Sequence, residues 1–161
     1  MKNKTLNGVL LAGLITLMFG CNAKEEKPAA AGIDKEQVKK EIQAKEDEFA
    51  AIYNSGELKS IGYYADDAVS FFQNRPPLVG KEAIIAFLKA DLSSNSNTIM
   101  FKTNEVFVSN DGNQVVELGN FKLVDSTKTM INTGNYMSLF EKRNGKYVCV
   151  RDMSASILPV E

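Results

Sequence analysis

The side chains of this chain that could do chemistry are mainly carboxylates and phenols. The sequence contains 20 aspartate and glutamate residues, five tyrosines and no histidine, and its two cysteines are Cys21 and Cys149. The absence of histidine excludes serine–histidine and cysteine–histidine nucleophiles and the usual zinc sites. Acid or base catalysis would therefore need Asp, Glu, Lys or Tyr, and we expect neither a metal ion nor a cofactor.

Two carboxylates lie within apolar, strand-like runs. Asp152 is in phase with Val148 and Val150, and Glu117 follows Val116. Since successive side chains of a strand point to opposite faces, both carboxylates could point into a cavity and bind a ligand there. The alternatives are a structural acid that accepts hydrogen bonds for Asp152, and a solvated or edge position for Glu117.

Two further residues complete the predicted ligand-binding set. Tyr53 could line a pocket, as could Tyr63 and Tyr64, although half-buried tyrosines are more often part of an ordinary core. Asn135 lies in the third of four long strand-like runs near the C-terminus.

A long helix is predicted to open the folded region. Asp34 is a good N-cap residue, and Gly56 can end the helix in the left-handed conformation. One face is apolar at helical spacing, with Val38, Ile42, Phe49 and Ile52. The other faces are expected to carry the charged residues Glu36, Lys39, Lys40, Lys45 and Glu46.

Two shorter helices and five strands are predicted to follow. The helices cover Glu57–Tyr64 and Lys81–Asp91, and a brief strand, Ala68–Phe72, lies between them after a turn at Asp66 and Asp67. The four longer strands are separated by turn-type residues: Ile99–Val108, Gln114–Val124, Met130–Lys142 and Lys146–Ser154. This order predicts an α+β fold, with helices on one face of an antiparallel sheet.

The N-terminal residues resemble the export signal of a bacterial lipoprotein. Lys2 and Lys4 precede an apolar run of 11 residues, Val9–Phe19. The run is too short to span a bilayer core of roughly 30 Å and fits a signal peptide. LMFGC at 17–21 resembles a lipobox, in which Cys21 would carry the lipid. The alternative is an ordinary secretory signal whose cleavage site happens to end near a cysteine.

The predicted organisation is a signal peptide at 1–20, a lipidated cysteine with a flexible tether at 21–32, and one domain at 33–161. The lipid would anchor the domain to a bilayer in the cell envelope, on the extracytoplasmic side. Loss of Lys2 and Lys4 with the signal leaves 17 basic and 20 acidic side chains. Because no basic cluster is present, nucleic acid is not an expected partner.

Three blocks of the domain resemble one superfamily. FAAIYNSGE at 49–57, YYADDAV at 63–69 and VGKEAI at 79–84 are similar, in order and spacing, to the SnoaL-like and ketosteroid-isomerase-like proteins of the nuclear-transport-factor-2-like superfamily. The segments GNY at 134–136 and RNGKYV at 143–148 are especially similar to the domain of unknown function 4440. The resemblance implies a cone, with a curved antiparallel sheet wrapped around a long helix and a pocket at the open end.

The resemblance also allows the isomerase roles to be carried over. Those enzymes use an Asp as general base, and a Tyr with a protonated Asp as oxyanion donors. The matching blocks place the Tyr role at Phe49, the base at Phe72 and the second acid near Met137. All three residues are apolar here, which argues against isomerase activity.

The long strands bear on assembly. In the predicted strand Gln114–Val124, one alternating set of side chains includes Val116, Leu118 and Val124, and the other includes Val115, Phe121 and Leu123. A half-solvated antiparallel sheet ordinarily has one polar face, and leftover apolar surface marks an interaction patch. Since the superfamily often pairs domains through this sheet, we expect a homodimer. The alternative is a monomer in which the additional apolar side chains line a cavity.

Two classes of function follow from the sequence. The first is a membrane-anchored domain whose pocket binds a small ligand or a partner without catalysis. The second is a lyase or isomerase that acts on a small apolar molecule through Asp152, Glu117 or a tyrosine. Two or more convergent ionisable groups in the pocket would favour the enzyme, and an apolar or closed pocket would favour binding.

Overall fold

The structure is a computed structural model and describes residues 32–94 and 96–158. Residues 1–31, which contain the predicted signal peptide, Cys21 and most of the tether, lie outside the described residues. Within the described part of the chain, neither helix has the length and apolar character that crossing a membrane requires.

Helix α1, Lys35–Ser55, has the ends that the sequence predicts. The Asp34 carboxylate accepts a hydrogen bond from the Gln37 backbone N–H at 3.0 Å. At the other end, Gly56 adopts a φ of 78° and its N–H donates to the Tyr53 carbonyl. Both caps satisfy backbone groups that a helix end leaves unpaired.

The buried face of α1 differs from the prediction at one residue. Glu46 was assigned to a charged face, but its side chain is only 1% exposed. It follows Ile42 by four residues and precedes Phe49 by three, and this spacing places all three side chains on one side of a helix. A carboxylate therefore lies within the apolar face that packs on the sheet.

The segment after α1 is also corrected by the structure. In place of a helix over Glu57–Tyr64 there is a single 3-10 turn, Leu58–Ser60, and strand β1 already begins at Tyr64 and runs to Phe71. Asp66 and Asp67 are exposed residues of β1 and do not form a turn. The register of β1 shifts between Tyr64 and Val69, and this irregularity leaves the adjacent carboxylates both exposed.

The remaining elements agree closely with the prediction. A two-residue strand, β2 (Leu78–Val79), was not predicted because it follows two prolines. The other elements are α2 (Lys81–Ser94), β3 (Thr98–Val108), β4 (Gln114–Val124), β5 (Met130–Arg143) and β6 (Lys146–Ser156). The prediction of an α+β fold with a curved sheet and helices is confirmed.

The six strands form one sheet in the order β2-β1-β6-β5-β4-β3. Every neighbouring pair is antiparallel except β1 and β6, which run parallel. This parallel pairing places β1, the first strand after α1, beside β6, the last strand of the described chain. Side chains of α1, β1, β5 and β6 can therefore meet above the centre of the sheet.

A bulge in β6 determines which of its side chains face inward. Phe140 of β5 is opposite Cys149, but the preceding Leu139 is opposite Arg151, so Val150 is an additional residue. Bulges of this kind change the alternation of side chains. Cys149 is fully buried before the bulge, and Asp152 turns inward after it. Asp152 faces inward as predicted, although Val148 is not in phase with it.

Candidate functional site

A cavity of about 260 Å³, partly open to solvent, lies between the two helices and the inner face of the sheet. Most of its wall is aromatic, and both α-helices and every strand except β2 contribute residues to it. The aromatic lining residues are Phe49, Tyr53, Tyr63, Tyr64, Phe72, Phe87, Phe101, Phe121 and Tyr136. The wall also includes the carboxylic acids Glu46, Asp91 and Asp152.

Phe49 of α1 is the centre of the aromatic wall. Its ring centroid lies 4.9 Å from that of Tyr63, 5.6 Å from Phe101 and 5.9 Å from Tyr64. The tilted and edge-on geometries are those that aromatic quadrupoles prefer. These contacts fix the rings in place, so the shape of the cavity is set before any ligand enters.

One buried carboxyl group lies in the floor of the cavity and a second lies beneath it. Glu117 of β4 is 0% exposed and lies beneath the lining, where its Oε1 accepts hydrogen bonds from Thr103 Oγ1 at 2.5 Å and from the Tyr136 hydroxyl at 2.8 Å. Glu46 lines the floor, and its Oε1 accepts a hydrogen bond from the Tyr63 hydroxyl at 2.5 Å. The Tyr63 hydroxyl also lies 3.4 Å from Ser138 Oγ.

The two carboxyl groups are arranged to hold one proton between them. Burial, and then the charge of Glu117, raises the pKa of Glu46 well above its ordinary value. Burial also raises the pKa of Glu117, but hydrogen bonds from Thr103, Glu46 and Tyr136 oppose that change. Glu117 Oε2 has no donor while both groups are ionised. We therefore assign the proton to Glu46, which donates it to an ionised Glu117.

Asp152 is the second polar feature of the cavity wall. Its Oδ2 accepts a hydrogen bond from the Tyr64 hydroxyl at 2.9 Å. Its Oδ1 is buried and makes no hydrogen bond of normal geometry. Burial raises the pKa of Asp152, and interactions with Ser70 and Tyr64 partly oppose this by favouring the ionised form. Asp152 is therefore a lining carboxylate whose hydrogen-bonding capacity the protein does not fully use, and a donor on a ligand could use it.

Asp91 of α2 forms a further phenol–carboxylate pair with Tyr53. The Tyr53 hydroxyl donates to Asp91 Oδ2, and both side chains line the cavity. Burial, and then this hydrogen bond to Asp91, raises the pKa of Tyr53. Four tyrosine hydroxyls of the cavity wall thus donate to carboxyl groups.

The structure brings three of the four predicted ligand-binding residues to this region. Asp152 and Tyr53 line the cavity, and Glu117 lies directly beneath its floor. Asn135 does not line the cavity; it is an exposed residue of β5, between the buried Gly134 and Tyr136. Its side chain is therefore on the opposite face of the sheet, because side chains alternate along a strand.

Sequence reasoning missed several residues of the site. Glu46 could have been found from its spacing to Ile42 and Phe49. No comparable signal marks Asp91, and Tyr136 was noted only as part of the GNY segment at 134–136. Within the described residues, no group of three or more Asp, Glu, Cys or His side chains is close enough to hold a metal ion.

The structure shows where the three positions carried over from the isomerases lie relative to the cavity. Phe49 and Phe72 line the cavity, as expected for residues at the oxyanion and base positions. Met137 is 42% exposed and points away from the cavity, so an acid near this position would have to be at one of its two neighbours to face inward. The inward neighbours are Tyr136 and Ser138, neither of which is an acid.

Comparisons with known proteins identify the fold. No protein-family model and no curated protein matches the sequence. A nuclear-transport-factor-2-like protein with a cystatin-like fold from Novosphingobium aromaticivorans superposes with a TM-score of 0.66 at 14% identity, over 77% of this chain and 84% of that one. A ketosteroid isomerase-like protein from Erwinia carotovora atroseptica gives 0.61 at 17% identity, over 79% and 100% of the two chains.

A third solved structure agrees with these two. A domain of unknown function with a cystatin-like fold from Nostoc punctiforme gives a TM-score of 0.65 at 14% identity, over 78% of this chain and 79% of that one. Identities this low establish architecture and leave function to the site itself. The chain has the cystatin-like, nuclear-transport-factor-2-like α+β fold.

Proposed function

We propose that this domain binds a small organic ligand of one or two rings in the aromatic cavity, without catalysis. The observation that carries the proposal is the Asp152 carboxylate, which lines a mostly aromatic wall and has a buried oxygen without a full hydrogen bond. Ligand sites are typically apolar cavities in which a few polar groups fix the orientation of the ligand. An apolar cavity of about 150 Å³ can hold benzene, so 260 Å³ suits a molecule somewhat larger than a single ring.

Filling the cavity tests this proposal. Leu123 lines the cavity, and the adjacent Lys122 of β4 is exposed on the other face of the sheet. Leu123→Trp should occupy the space and abolish the binding of one-ring and two-ring fragments seen by ligand-observed NMR, whereas Lys122→Trp should leave it intact. Equal fragment binding by the parent and Leu123→Trp would locate the fragments elsewhere and overturn the proposal.

The second candidate is a lyase or isomerase that uses Asp152 as a general base. The convergence of Glu46, Asp91 and Asp152 on one cavity is the arrangement we expected for an enzyme. A raised pKa also suits a base that must take a proton near neutral pH. Binding remains the first proposal because apolar residues occupy the base and oxyanion positions, Phe72 and Phe49.

Turnover of a steroid-like enone is therefore not expected to rise above the buffer rate. The apolar residues at the family's catalytic positions, Phe49 and Phe72, cannot accept or donate a proton. Absorbance assays of enone isomerisation with the protein at micromolar concentration would measure this. Turnover that disappears in Asp152→Asn would instead establish the enzyme.

We infer that the protein is a lipoprotein of the cell envelope and that its domain is closest to the domain of unknown function 4440. The lipobox-like LMFGC at 17–21 supports the anchor. Cys21→Ala should leave an unprocessed or soluble precursor that incorporates no labelled fatty acid, because the thiol that accepts the lipid is gone. Equal labelling of the mutant and the parent would contradict the anchor.

A homodimer through the outer face of the sheet is proposed as well. Phe71, Met153, Met137 and Leu118 form an apolar row across four neighbouring strands, since each is the register partner of the next. Phe71 and Met153 are 42% and 52% exposed. The opposite face of β4 supplies Phe121 and Leu123 to the cavity, so cavity lining accounts for these two side chains. The row contains Leu118, which belongs to the other alternating set of β4.

Light scattering on protein that starts at Gly32 should give the mass of a dimer at micromolar concentration. Two copies can bury the same apolar row against each other about a two-fold axis. Met137→Lys should shift the mass to that of a monomer, since it places a charge in the centre of the row. A strictly monomeric parent at high micromolar concentration would rule out the dimer.

A further inference from the structure

We propose that the ligand of the cavity carries a positive charge, as a protonated amine on a mainly apolar body. This inference rests on the proposed ligand-binding function and specifies the chemistry of the ligand. Three carboxylic acids, Glu46, Asp91 and Asp152, are part of the wall, and none of the described lining residues is a lysine or an arginine. A ligand that brings a positive charge beside Asp152 is therefore the one that the wall favours.

The charge balance of the buried acids supports an organic cation. With one proton held between Glu46 and Glu117, that pair retains one negative charge beneath the floor. Asp152 adds a second carboxylate, whose Oδ1 lacks a full hydrogen bond. Buried charges ordinarily persist only where they are paired. An ammonium group beside Asp152 would donate to its carboxylate and offset part of this negative charge.

The phenols of the wall disfavour an anionic ligand. The hydroxyls of Tyr53, Tyr63, Tyr64 and Tyr136 each donate to a carboxyl group of the protein. Because each hydroxyl proton is already used in a hydrogen bond within the protein, these hydroxyls cannot donate to the oxygens of a ligand carboxylate or phosphate. The hydroxyl oxygens and ring faces that remain attract positive charge.

One protein cation already uses the rim of the cavity in this way. The Arg75 guanidinium lies 4.1 Å above the ring centroid of Phe87, whose side chain is part of the wall. Arg75 is exposed and is not among the lining residues. The contact shows that a wall aromatic can present its face to a cation, while none of the described residues that line the interior beside Asp152 is a lysine or an arginine.

Three probes of similar size separate charge from shape. The probes are 2-phenylethylamine, 2-phenylethanol and 3-phenylpropanoate. The amine is protonated at pH 7, because an alkylammonium group titrates in the same range as lysine. Calorimetric titration of the full-length chain should give a dissociation constant for the amine at least tenfold below that of the alcohol, with no detectable binding of the carboxylate. Asp152→Asn keeps the shape of the side chain and should reduce the preference for the amine to within about twofold.

Asp66→Asn is the matched control, because it removes an exposed carboxylate outside the cavity and should preserve the preference. Should Asp152→Asn unfold, the ratio between the amine and the alcohol in the parent protein still decides the question. Equal affinities for the amine and the alcohol would overturn the inference and leave the binding function standing. If none of the three probes binds, both the inference about charge and the proposed binding function are overturned.

Discussion

Replacing Glu46 with Gln is expected to raise the free energy of unfolding by about 2 kcal/mol or more at pH 7.5, and to change it little at pH 5. Glu46 is buried among apolar side chains and holds a proton in the folded protein. The amide of Gln has the same shape, donates to Glu117 without ionising and accepts from the Tyr63 hydroxyl. The substitution should therefore stabilise the domain under conditions in which glutamate would otherwise ionise.

The sign follows from the direction of the pKa shift. The pKa of Glu46 is raised above its ordinary value of 4.5, so above that pH the unfolded chain releases a proton that the folded protein keeps. The contribution of Glu46 to the free energy of unfolding is therefore fully present below about pH 4.5, and it is lost as the pH rises towards the pKa of Glu46 in the folded protein. Each pH unit in this window costs about 1.4 kcal/mol for one proton. Burial shifts Asp152 in the same direction, which leaves a residual slope in Glu46→Gln.

Urea unfolding at pH 5, 6 and 7.5 would measure this effect. The pKa values of three exposed carboxylates, Asp67, Asp111 and Asp125, are lowered from 3.8. These groups therefore change the pH dependence of stability only below about pH 3.8, outside the range measured. Glu41→Gln is the control, since Glu41 is an exposed residue of the same helix. A pH dependence in Glu46→Gln as steep as that of the parent would place the buried proton on another group.

Gly119→Ala is expected to destabilise the domain by about 1–3 kcal/mol, the usual cost of overpacking. The Tyr136 ring lies directly over Gly119, and an added Cβ would come within 2.3 Å of Tyr136 Cζ. Tyr136 would have to move away from Glu117, its hydrogen-bond acceptor, and from Phe101, whose ring centroid is 5.4 Å away. The floor of the cavity would lose one of its donors as well as its packing.

Gly62→Ala provides the comparison, because nothing lies within 4 Å of its added Cβ. Its denaturation midpoint should stay within the range of neutral surface changes, about 0.5 kcal/mol. Gly119→Ala as stable as the parent would mean that Tyr136 has another position available, and that its bond to Glu117 contributes little.

Local signals in the sequence were sufficient for most of the fold. Asp34 and Gly56 mark the ends of α1 because caps depend on neighbouring residues alone. The four long strands were predicted to within two residues at each end, since turn-type residues separate apolar runs. The Asp66–Asp67 pair was placed wrongly because a strand irregularity, set by pairing with β6, exposes both side chains.

The site was harder to predict because it depends on contacts between distant elements. Asp152 was identified correctly as an inward carboxylate, but the bulge at Val150 that directs it depends on pairing with β5. Glu46 was assigned to solvent because charged residues on a helix are usually exposed. Its burial becomes understandable only when Tyr63 and Glu117, from other elements, are placed beside it.

A crystal structure of the protein with bound 2-phenylethylamine tests the central claim most directly, because it shows where the ligand lies. We expect the ring between the aromatic side chains around Phe49, and the nitrogen within about 3 Å of the Asp152 carboxylate. A cavity that stays empty at saturating amine, or an amine that binds only on the outer face of the sheet, would contradict the assignment of this cavity as the ligand site.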